Sequence, residues 1–153
     1  MKNVGLIALL TLLSGTACGY PEYGSRHSEE VHYDMSHRSV MYFAPSNDDK
    51  VKEFLLGTLT NECSLDERDV VTLVITEDGF SSPAWVKETF DYATLIKMYG
   101  INKGEHAAVL IGKDGSEKLR WGAKTDWALV KETIDAMPMR QAEMKRAASR
   151  CSI

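Results

Sequence analysis

The chain has little cysteine and none of it is paired in sequence. Its three cysteines, Cys18, Cys63 and Cys151, never fall into a C-x-x-C spacing, which excludes a local dithiol site. It also lacks positive charge: 18 basic against 22 acidic side chains leave a formal charge of -4. Nucleic acid is therefore not the expected partner, because phosphate binding needs a concentrated basic footprint. No apolar stretch reaches the ~20 residues of a membrane-spanning helix. Proline is scarce: Pro21, Pro45, Pro83 and Pro138 are the only four, and each marks a linker, a turn or the edge of an element. The rest of the composition, 44% apolar and 26% charged, is that of one globular domain with a single core.

The first 17 residues read as a signal peptide. Lys2 supplies a positive start, Val4 to Leu13 a short apolar core, and Ser14-Gly15-Thr16-Ala17 a run of small residues. Cys18 follows at once, as in the lipobox of bacterial lipoproteins, although Gly15 stands where leucine is usual. The expectation is acylation of Cys18 and attachment to a membrane through the lipidated N-terminus. In a Gram-negative cell, Gly19 permits sorting to the outer membrane, facing the periplasm. The alternative is ordinary cleavage near Ala17, giving a soluble periplasmic or secreted protein. Residues 18–37 read as a tether. Its histidines, His27, His32 and His37, are spaced by five, which does not put ligands on one helical face, so no metal is expected.

Regular structure begins at Arg38. Val40 to Phe43 form a buried strand that stops at Pro45. Val51, Phe54, Leu55, Thr58 and Leu59 recur at helical spacing, giving a helix over about 48–61. Ser46 or Asn47 can cap it, and Asp48 and Asp49 complement its dipole. Val70 to Ile75 is a second strand. In Phe80 to Phe90, Pro83 argues against a central strand. Tyr92, Leu95, Ile96 and Tyr99 give a second helix that Gly100 ends. Ala107 to Ile111 is a third strand, joined through Lys113 to Ser116 to a fourth, Glu117 to Trp121, with Lys118 and Arg120 on its polar side. Thr125 or Asp126 caps a third helix carrying Trp127, Val130, Ile134 and Met137. Met139 to Arg150 is expected to continue as a short helix, leaving 145–153 as a basic, solvated tail. The order β-α-β-α-β-β-α predicts an α/β domain over 38–144: a four-stranded mixed sheet flanked by helices, the minimal thioredoxin-like arrangement.

Three stretches, YFAPSNDD (42–49), LIGKDGSEKLR (110–120) and IDAMPMRQAEM (134–144), resemble the domain of unknown function 4174, or DUDES, family. The likeness runs from about Arg38 to Met144. It implies a thioredoxin-like fold and carries no established activity. In such folds the redox cysteines sit where the first strand meets the first helix. Here that junction holds Pro45, Ser46, Asn47, Asp48 and Asp49, and the start of the third strand, His106-Ala107-Ala108, lacks the usual proline.

Thiol–disulfide exchange at the usual site is therefore not expected. Cys63 lies near the far end of the first helix, where the dipole opposes a thiolate. An oxidising compartment permits a Cys63–Cys151 disulfide; the simpler reading keeps Cys63 as a small buried residue and Cys151 in a frayed tail. Ser46 with His106 as base is a conceivable nucleophile, but no G-x-S-x-G elbow accompanies it. Arg120 could pair with Asp48 or Asp49, or with Lys113 and Lys118 hold an anion. The reading that follows is a non-enzymatic, envelope-anchored thioredoxin-like module without a cofactor. It binds a protein or envelope partner, with Ser46, Asp48, Asp49 and Arg120 as its candidate surface. The alternative is an envelope redox or antioxidant protein using Cys63 and Cys151.

Overall fold

The computed structural model describes residues 35–151. The signal, Cys18, His27 and His32 lie outside the described residues. Strand β1, Arg38–Ala44, is buried along its whole length. Alternate residues serve two cores: Val40, Tyr42 and Ala44 face one, Met41 and Phe43 the other. Such a strand must be covered on both faces, which is why its sequence reads as a continuous apolar run. β2, Val70–Thr76, pairs with it in parallel. β4, Ala107–Ile111, pairs with its other edge antiparallel, and β5, Glu117–Trp121, completes the hairpin.

The sheet has five strands, not four. β3, Ser81–Ser82, adds to the free edge of β2 and gives the order β3-β2-β1-β4-β5. It is an edge strand that ends directly before Pro83, in keeping with the expectation that the proline excludes a central strand here. The protein is thus a mixed α/β domain, a five-stranded mixed sheet flanked by helices.

One face carries helices α1, Asp49–Thr60, α2, Glu62–Asp66, and α5, Trp127–Asp135. Val51, Phe54, Leu65, Val130 and Ile134 pack there on β1 and β4. Gly57 lets α1 approach α5 closely, since a Cβ there would collide with the Trp127 indole. The other face carries α3, Val86–Thr89, and α4, Tyr92–Tyr99. Gly100 ends α4 at φ 61°, the left-handed cap expected from sequence. α6, Pro138–Arg146, begins at its proline, whose missing N–H is no loss in a first helical turn.

Several expectations are corrected. Asp48, not Ser46 or Asn47, caps α1, its carboxylate accepting from Lys50 N and Val51 N at 3.0 and 3.1 Å. Any of the three polar residues can cap; the bend over 45–47, closed by Asp48 N donating to Ser46 O at 2.9 Å, leaves Asp48 in the cap position. Cys63 and Cys151 are joined in a disulfide across 88 residues. The tail is therefore pinned to α2, with Arg150 N also donating to Glu67 Oε1. Among the described residues no helix is long and apolar enough to cross a membrane.

Candidate functional site

β1 and β4 are antiparallel, with Phe43 opposite Ala107. The residue before β4 therefore lies beside the point where β1 gives way to α1. That residue is His106, and its Nε2 lies 2.7 Å from Asp48 Oδ2. The same carboxylate thus caps α1 and holds an imidazole. Partial burial pushes the Asp48 carboxyl up, but hydrogen bonds from Val51 N and His106 outweigh it and hold it below the usual carboxylate range.

Tyr42 lies beneath this pair. Its ring stacks on Phe54 at 4.6 Å, its edge meets His106 at 6.3 Å, and its hydroxyl donates to Ala123 O at 2.8 Å. Burial first, then the charges of Asp48 and Glu53, push its pKa up to about 12. The phenol is locked as a neutral donor near neutral pH and does not serve as a base.

Chemically, the free N–H groups at the start of α1 form the anion slot that in thiol enzymes lowers a cysteine's pKa. In this protein a carboxylate from the chain itself occupies that slot. Asp48 orients His106 as a carboxylate orients an imidazole in a hydrolytic triad, but Ser46 does not complete a triad: His106 reaches Asp48 and not Ser46. Asp49 points away, its side chain 98% exposed and 3.2 Å from Lys52.

Arg120 is not part of the corner. It donates to Glu117 at 2.8 and 2.7 Å and to the Tyr99 carbonyl. Lys118 pairs with Asp114 at 2.6 Å, and Lys113 with Asp69 and Glu143 at 2.8 and 2.7 Å. The three cations considered for an anion site on the hairpin are thus each engaged by carboxylates of the chain itself. Of the candidate surface, Ser46 and Asp48 lie at the start of α1 with His106 beside Asp48; Asp49 follows in the chain but turns to solvent, and Arg120 lies elsewhere. The signal for His106 is a histidine heading the third strand, considered only as a conceivable base for Ser46; its partner is Asp48.

Cys63 and Cys151 are remote from the corner. α1 has 12 residues and spans about 18 Å, and Cys63 lies in α2 beyond its far end. Among the described residues no group of histidine, cysteine and carboxylate side chains is arranged to hold a metal.

Comparison with curated proteins finds no match. One family does match, over residues 31–143, under the description Domain of unknown function (DUF4174). That span covers most of the chain, including every strand and all but the end of the last helix, and the protein belongs to this family.

Proposed function

We propose that this protein is an exported thioredoxin-like module, held at the cell envelope by an acylated Cys18, that binds a protein or envelope component and does not exchange disulfides. One observation carries the reading: the anion slot at the head of α1 is filled by Asp48, itself bonded to His106. A substrate thiol or disulfide finds neither sulfur nor vacancy there. The sulfurs of Cys63 and Cys151 are spent on tying the C-terminal segment to α2, a staple suited to an oxidising compartment. The corner of Ser46, Asp48 and Asp49 is the surface offered to the partner.

A second reading has the Cys63–Cys151 pair as a redox couple outside the usual site, since a disulfide is itself a two-electron store. The two readings separate in one set of measurements. Metabolic labelling with a fatty-acid analogue is expected to mark the wild type and not Cys18→Ser, which should leave the membrane fraction. Titration of the native, non-reduced protein should find neither Cys63 nor Cys151 as a free thiol. Disulfide reductase and peroxidase assays should match those of Cys63→Ser/Cys151→Ser. Absence of label on Cys18 removes the anchor. Turnover abolished in the double variant replaces the binding module with the redox protein.

A further inference from the structure

The two faces of the sheet are not covered equally. On the face of α3 and α4, the N-terminal half of β1 and β2 is left partly open. A half-enclosed cavity of about 590 Å³ lies there. Met41, Val71, Leu73 and Ile111 form its floor, and Phe90 and Leu95 its wall. Trp85 and Met98 stand at its mouth, 47% and 67% exposed. It is distinct from the corner: His106 and Asp48 serve the opposite face with Tyr42.

We propose that this cavity binds the hydrocarbon chain of an uncharged single-chain lipid, one with a hydroxyl or ester head. Three features select that ligand. The size is that of small-ligand sites, about 300–1,000 Å³, and a concave slot of this kind does not offer the flat ~800 Å² that a stable protein partner covers. The lining sets the charge. Among the described residues around it there is no lysine or arginine, so a carboxylate or phosphate head has no permanent cation to meet. Asp91, on its rim, would repel one, and its carboxylate is already taken by Thr94 N and Oγ1 at 2.9 and 2.8 Å. Beyond Asp91 and the Thr94 bonded to it, the polar contributors Ser39, His37, Thr89 and Tyr99 suit a hydroxyl or ester oxygen. Finally, Met35, Met41 and Met98 contribute unbranched thioethers, which adapt to a flexible chain better than a rigid wall does.

The test uses the full chain carrying Cys18→Ser, which cannot be acylated at that position. Calorimetry and the emission of Trp85, with Trp85→Phe as control, follow titrations with octanol, decanol, dodecanol and dodecanoate below their aggregation thresholds. One-to-one binding is expected, tightening about fourfold per added methylene. Dodecanoate should bind at least about tenfold more weakly than dodecanol. Met98→Glu alters an exposed helix position, so it should keep the melting temperature while weakening dodecanol at least about tenfold. Val71→Phe, filling the slot from its floor, should do the same. Absence of alcohol binding, no dependence on chain length, equal or tighter binding of dodecanoate, or indifference to Met98→Glu would each overturn the proposal. So would sedimentation showing a dimer that Met98→Glu dissociates, which assigns the face to a second copy of the chain.

Discussion

At the start of β1 the Arg38 guanidinium is fully buried, donating to Arg68 O at 2.7 Å and to both oxygens of Glu143 at 3.2 Å. Glu143 also takes Lys113, while Asp135 takes Arg68 in a bidentate pair at 2.9 and 2.7 Å and Arg140 at 3.3 Å. Six charged side chains and a disulfide thus converge on one end of the strand and fasten α6 and the tail to it. At the other end, Asp48 and His106 form a single pair, with the half-buried Ser46 and the exposed Asp49 beside it. Binding surfaces are drawn from the loosely held parts of a fold, and strongly networked ones serve to hold it together. By that criterion IDAMPMRQAEM, with Arg140 and Glu143, is a fastening motif, and YFAPSNDD is where recognition belongs.

The largest effect is expected at the fastened end. Arg38→Met leaves the half-buried Glu143 with only Lys113 and Arg140 near it and takes the side-chain donor from Arg68 O, and removing the buried partner of such a pair costs about 3 kcal/mol. Urea unfolding measures it, and Arg38→Met/Glu143→Leu should recover part of the loss because no orphan charge remains. A cost for Arg38→Met no greater than that of a change at Asp48 would break the contrast between the two ends.

The same contrast has a pH signature. Burial pushes the Glu143 carboxyl up, but hydrogen bonds from Lys113 and Arg38 outweigh this and hold it below its ordinary 4.5. Burial likewise raises Asp135, and Arg68 and Arg140 bring it down below 3.8. A carboxyl with a lowered folded pKa contributes fully above its unfolded pKa and loses that contribution as pH falls through the folded one. Stability should therefore fall between about pH 5 and pH 2. Glu143→Gln should flatten that fall more than Asp48→Asn does, as read from urea midpoints across the range.

The central layers were legible because periodicity encodes them: VVTLVI as a strand buried on both faces, the 51–59 spacing as a helix, Gly100 as its neighbour's cap. Charge partners were not. Arg38 reads only as the charged residue that opens the domain, yet its ion pair is with Glu143, 105 residues on. Arg120 has Asp48, Asp49 or an anion as possible partners by sequence, and in the fold it meets Glu117 and the Tyr99 carbonyl. β3 is two residues long and leaves no periodic trace. The disulfide joins positions whose distance depends on how α6 docks, which the Arg38 and Asp135 pairs determine.

The smallest effect, and the one that decides what the corner is, comes from Asp48. Its carboxylate does two things at once, accepting from Lys50 N and Val51 N and holding His106. Asp48→Ala removes both and should cost about 1 kcal/mol, the ordinary value of a lost N-cap. Asp48→Asn keeps an oxygen for the cap and gives up the charge. Its urea midpoint should lie near wild type, because the pair with His106 is one-third exposed on the Asp48 side, at 34%, and water screens it. Equal losses in both variants would mean that the charge itself holds the corner. The two ends of β1 would then differ in the number of their ion pairs and not in kind, and the case for Ser46, Asp48 and Asp49 as the recognition surface would lose its physical basis.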